Sequence, residues 1–201
     1  MALALGCALG APATAAASDG FERVRSTNDC VFEMRPEDHP DKSALRARCH
    51  WAEIDATAMG RELREVGRYT EYVYPIEVSE IRRDEGHRWL VYQRQHVWPI
   101  ADREVLLWMT PEQSDGTTRV SWTAAADEPL TLRHGAIRVP RNDGYWLVKP
   151  HPEGGAEVTH QIAMDGGGRI PKWLVDLVRT RGFVQVMGDV RKLMAADASS
   201  P

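Results

Sequence analysis

Gly166-Gly167-Gly168-Arg169-Ile170-Pro171-Lys172-Trp173-Leu174-Val175 takes the chain from a glycine-rich turn straight into an amphipathic helix. Three consecutive glycines can adopt positive φ. Pro171 suits the first helical turn, where its missing N–H costs nothing. Beyond it Trp173, Leu174, Leu177, Val178, Val184, Met187, Val190 and Met194 recur at helical spacing, while Lys172, Asp176, Arg179, Asp189 and Lys192 fall on the other side. The spacing predicts one long helix, with Gly182 interrupting its middle. An apolar helix at the end of a strand-rich chain needs a concave surface to lie in. The expectation is a sheet wrapped around a helix, with room for an apolar ligand between them.

Working back from that helix, Ala156–Met164, Tyr145–Lys149, Ala136–Val139, Thr117–Ala125, Arg103–Thr110, Trp89–Trp98 and Tyr72–Ile81 read as strands. Glu153-Gly154-Gly155, Asn142-Asp143-Gly144, Gln113-Ser114-Asp115-Gly116 and Pro99-Ile100-Ala101-Asp102 read as turns. A long irregular connection runs from Ala126 to Gly135. Asp55 is a good N-cap for a helix from about Thr57 to Arg68, with Met59, Leu63 and Val66 buried and Gly67 as a stop. Two further strands, around Cys30–Met34 and Ala44–Ile54, precede it. Phe21 to Asn28 reads as a short helix or ordered coil. The order predicts an α+β fold, a curved antiparallel sheet around a long C-terminal helix.

The chain has 201 residues, enough for one domain with a sizeable core. Its net charge of −4 and the absence of a basic run argue against nucleic acid as a partner. Residues 1–17 contain almost only small and apolar side chains and end Ala15-Ala16-Ala17, which reads as a signal peptide lacking its basic start. Residues 18–195 are then the domain and 196–201 a frayed tail, exported, with the bacterial periplasm as the expected compartment. Removing the leader leaves Cys30 and Cys49. The midpoint between them falls in the loop marked by Pro36, Asp38, Pro40 and Asp41, so a regular hairpin sets the sulfurs opposite each other. Export favours a disulfide over the alternative of two buried thiols.

Three segments together resemble the START family, the steroidogenic-acute-regulatory-related lipid-transfer domains of helix-grip fold. Gly168 to Val175 is similar to that family's entry to its closing helix. Pro99-Ile100-Ala101-Asp102-Arg103-Glu104-Val105 is similar to its Arg-Asp strand motif, with Glu104 where Asp is usual. Gly144-Tyr145-Trp146-Leu147 followed by Pro150 resembles the strand before the last hairpin. The resemblance runs from about residue 20 to 195. It implies a domain holding one lipid or other apolar molecule in an internal cavity, with the closing helix as a lid, transient membrane contact, a monomer, and no cofactor or metal.

The ligand-binding candidates are Arg103, Val105, Leu107, Trp122, Trp146, His160, Ile162, Trp173, Leu174 and Leu177. Alternation puts Arg103 on one face with Val105, Leu107 and Met109. Its two readings are a partner for a polar ligand head, as the resemblance implies, and a structural ion pair. His160 shares a face with Val158, Ile162 and Met164, either to meet a ligand hydroxyl or carbonyl or to be satisfied by a neighbour. The chain shows no nucleophile elbow, metal-ligand spacing or phosphate loop, and catalytic residues are expected to be absent. The alternatives are a polyketide aromatase/cyclase of the same fold, which export disfavours because its intermediates are tethered in the cytoplasm, and a domain that only contacts partner proteins.

Overall fold

The computed structural model describes residues 19–37, 43–177 and 181–197. The elements run β1 (Glu22–Ser26), β2 (Cys30–Pro36), β3 (Ser43–Trp51), α1 (Ala56–Glu62), α2 (Tyr69–Tyr72), β4 (Ile76–Asp84), β5 (Trp89–Gln95), β6 (Arg103–Ser114), β7 (Thr117–Ala124), β8 (Ile137–Arg138), β9 (Arg141–Pro150), β10 (Ala156–Asp165), α3 (Lys172–Leu177) and α4 (Phe183–Asp197). They build one sheet in the order β1-β2-β3-β10-β9-β7-β6-β5-β4, antiparallel throughout except that β8 lies parallel to β6. The chain pairs β3 with β10, so its two ends meet in the middle of the sheet.

Period-two alternation sorts every central strand into two faces. In β6, Val105, Leu107 and Met109 join the main core, and Leu106 joins a second cluster on the opposite, convex face. The main core includes Val91, Val120, Trp146 and Val158 from the sheet, Met59 and Leu63 from α1 and its C-cap, and five α4 side chains: Phe183, Val186, Met187, Val190 and Met194. Burying those five contributes on the order of 10 kcal/mol. By contrast, the half-exposed Arg191, paired with Asp29 at 2.7 Å and Glu53 at 2.6 Å, adds about 1 kcal/mol at most. Apolar burial therefore seats α4, and the arginine sets where it sits. On the convex face the connection 126–135 packs Leu130 near Leu90, Tyr92, Leu106 and Ala125. Arg138 Nη2 ties it down by donating to the carbonyls of Ala125 and Glu128, both at 2.8 Å.

Asp55 caps α1 as expected, accepting from the Ala58 N–H at 2.6 Å. Cys30 faces Cys49 across β2 and β3, with Cα atoms 4.1 Å apart, and the two are bridged. The loop residues Asp38, Pro40 and Asp41 lie outside the described residues.

Several local expectations are corrected. Residues 22–26 are neither helix nor coil but an edge strand, added because β2 offers a free ladder. Gly67 does not stop a helix: α1 ends at Glu62, and Gly67 sits in a 3₁₀ turn, Val66–Arg68, leading into α2. Asn142-Asp143-Gly144 is not a turn but the start of β9, paired to Met164, Ala163 and Ile162. Gly144 is required there by close approach, since a Cβ would lie 2.6 Å from the Trp122 ring and against the Gln161 carbonyl. The glycine turn before the closing helix does use positive φ, 68° at Gly167 and 62° at Gly168. Of the closing helix the described residues give α3 and α4, and Val178 and Arg179 lie outside the described residues.

Candidate functional site

The candidate site is the helix-facing wall of the sheet, and its centre is His160. β10 turns this residue toward α4, and Trp146 is its direct cross-strand partner on β9. The two rings stack at 3.7 Å with 6° between planes. Phe183, at the first turn of α4, lies 5.3 Å from the imidazole on centroids, and Trp122 lies 5.8 Å away. The imidazole is 4% exposed, and burial among these rings pushes its pKa down to about 3. It is therefore neutral at ordinary pH. Nδ1 lies 3.3 Å from the Tyr145 carbonyl, which can only accept, so Nδ1 carries the proton. Nε2 is left as an acceptor, with no hydrogen bond among the described residues. The group can thus receive a ligand hydroxyl but cannot donate to a ligand carbonyl.

Around His160 the wall is apolar and aromatic. Trp146 is fully buried, and Trp122 is half-buried with its indole N–H on Asn142 Oδ1 at 2.9 Å. Val105 and Leu107 are buried, and Ile162 is half-buried against the same core. Toward β4 the wall becomes more polar. Gln93, buried, donates to Ser79 at 3.3 Å, and Gln95 is buried opposite Arg103.

Arg103 is 4% exposed at the start of β6. Its Nη1 donates to the Ala101 carbonyl, and its Nε is buried without a partner. Burial lowers its pKa, opposed by the charge of Asp102. The structural ion pair is not formed: among the described residues no carboxylate comes within ion-pair distance of Arg103.

The structure thus brings Arg103, Val105, Leu107, Trp122, Trp146, His160 and Ile162 onto one wall. Leu174 is buried. Trp173 and Leu177 are not brought there: they lie at the surface, 59% and 39% exposed, because α3 buries Leu174 and turns its neighbours outward. Sequence reasoning missed Asn142, hidden in the supposed turn, and Phe183. It also passed over Gln93 and Gln95, although alternation from Val91 places both on the inner face.

The chain matches no family model. A stretch of 100 residues is 29% identical to an uncharacterized protein of Pseudomonas aeruginosa, covering half of this chain and half the length of that protein. Among solved structures, the chain is similar to a STAR-related lipid transfer protein from Xanthomonas axonopodis, with 23% identity, a TM-score of 0.75, and 88% of this chain and 99% of that one covered. It is similar to human StAR-related lipid transfer protein 5, at 14% identity and a TM-score of 0.75 over 90% of this chain and 88% of that one. It is more distantly similar to the Zhui aromatase/cyclase from Streptomyces sp. R1128, at 14% identity and a TM-score of 0.50 over 77% and 92%. The fold is that of a START-like domain of the helix-grip type.

Proposed function

We propose that the protein is an exported START-like domain that holds one lipid or other apolar small molecule, non-covalently, between the concave wall and the closing helix. The observation that carries this reading is the wall itself. An aromatic, apolar surface surrounds a neutral imidazole whose acceptor nitrogen has no donor among the described residues, on the fold of lipid-transfer domains. Such sites combine apolar lining with a few placed polar groups. The bridged Cys30–Cys49 pair supports an oxidising compartment. Exposed Trp98 and Trp173 support transient membrane contact, since indoles favour the interface. Native mass spectrometry after gentle purification tests the reading. The expected result is one lipid-sized adduct per chain, identified by extraction. No adduct, together with a ligand-free crystal structure whose interior is solid, overturns it.

The second reading is an aromatase/cyclase, favoured by the likeness to the Streptomyces enzyme and by the free Nε2 of His160. It expects a polyketide biosynthetic neighbourhood for the gene and a cyclisation lost in His160→Gln. Cyclisation that survives the substitution removes His160 from it.

A further inference from the structure

The convex face of the sheet carries an apolar cluster of its own. Leu90 and Tyr92 on β5 and Leu106 on β6 are buried there with Ala125, and Val78, Trp108 and Leu130 pack against them. A sheet face open to water would carry polar side chains at these alternate positions. Here the 126–135 connection crosses the face as a strap. Between strap and sheet lies a cavity of about 330 Å³, floored by Leu90, Tyr92 and Leu106, roofed by Pro129, Leu130 and Thr131, with Arg82 at its mouth.

The strap is held off the sheet by pins at both ends. On one side Arg138 Nη2 donates to the carbonyls of Ala125 and Glu128, both at 2.8 Å, and of Ala126 at 3.1 Å, while Glu128 pairs with Arg83 at 2.5 Å. On the other side the Arg133 N–H donates to the buried Glu104 carboxylate at 3.4 Å. The span between the pins begins at Pro129, which has no N–H to satisfy.

The chemistry of the space selects its occupant. Its volume lies within the range of small-molecule sites, and at the packing density of a protein interior it takes on the order of a dozen heavy atoms. Water fills such a space poorly, because each molecule needs several polar partners and the walls are mostly leucine, proline and a phenol ring. The charges around the mouth are already matched. Arg82 holds Glu80 at 2.5 Å and lies over the Tyr92 ring, Arg83 holds Glu85 and Glu128, and Arg88 holds Glu85 at 2.7 Å and lies over Trp108. An ionic group entering there would lose its hydration and find no unpaired counter-charge. A flexible chain would also lose rotamer freedom that a ring does not have.

We propose that this cavity is a second binding site, on the face of the sheet opposite the concave wall, for a compact, uncharged ring molecule of about the size of naphthalene. The site stands or falls on the convex face alone, whatever the concave wall holds.

Two experiments on the purified protein test it. Crystals soaked in 2-bromonaphthalene are expected to show the bromine, by its anomalous signal, between Leu106 and Leu130. Bromine on the concave wall alone, or nowhere, overturns the site. Titration with fluorescent 2-naphthol, uncharged at pH 7, is expected to saturate. Thr131→Trp, which sets an indole into the mouth from an exposed strap position, is expected to weaken that binding at least ~10-fold in a folded protein. 2-Naphthoate, the same rings bearing a carboxylate, is expected to bind at least ~10-fold more weakly than the naphthol. Equal affinity for 2-naphthol in folded Thr131→Trp and wild type overturns the site, and naphthoate binding as tight as naphthol overturns the uncharged class. If Thr131→Trp does not fold, the position of the bromine decides the matter.

Discussion

Replacing His160 by Phe should convert a pH-sensitive core into a pH-insensitive one. The folded protein holds this imidazole at a pKa of about 3, against 6.5 in the unfolded chain, because burial against Trp146 and Phe183 excludes the charged form. Between these values the unfolded chain binds a proton that the folded chain refuses, so stability falls as pH falls. Well below pH 6.5 each pH unit is worth about 1.4 kcal/mol, so moving from pH 6.5 to about pH 4.5 removes roughly 2.3 kcal/mol through His160 alone. Phe keeps the stacked ring but cannot titrate, and it loses the hydrogen bond to the Tyr145 carbonyl, a cost of about 1 kcal/mol. His160→Phe should therefore be the less stable protein at about pH 7 and the more stable one at about pH 4.5, by roughly 1–2 kcal/mol. The other titrating groups are common to both proteins and cancel in the difference. Guanidinium denaturation of the pair across this range measures it. Parallel curves, with no crossing as the pH falls, would refute the assignment of a neutral buried imidazole.

Three further outcomes follow from the geometry. Cys30→Ser/Cys49→Ser removes a bridge across 19 positions and should cost about 3 kcal/mol in urea denaturation, with little change in the folded far-UV spectrum; an unchanged midpoint contradicts the stabilising role. Gly144→Ala places a methyl against the Gln161 carbonyl and the Trp122 ring and should lower stability by on the order of 3 kcal/mol, read as a drop in melting temperature; wild-type melting shows that β9 can give way. Trp173→Ala should leave stability within about 1 kcal/mol, because its ring is already in water, yet should slow lipid uptake from vesicles if the exposed indole meets the membrane; unchanged uptake removes it from that role.

Much of the architecture was legible in the chain because it is written in short-range patterns. Alternation placed Val105, Leu107 and Met109 on one face of β6 and set His160 with Val158 and Ile162, since a strand's side chains have no other option than two faces. The Asp55 cap was readable because it depends on one helical turn, and the Cys30–Cys49 pairing because it depends on the register of a single hairpin. What failed were segments whose state depends on a distant neighbour. Asn142-Asp143-Gly144 carries turn chemistry, yet it extends a strand because β10 pairs with it and Trp122 needs the space a side chain would fill. Residues 22–26 have weak strand character and became one because β2 had an unpaired edge. The site divides the same way. Sequence alone determined which residues could face the interior. Only the tertiary structure decided that Trp173 and Leu177 face water, that Phe183 and Trp146 close over His160 and hold it neutral, and that Arg103 has no carboxylate partner among the described residues. Burial and ion pairing are sums over neighbours many residues away, and no local pattern encodes them.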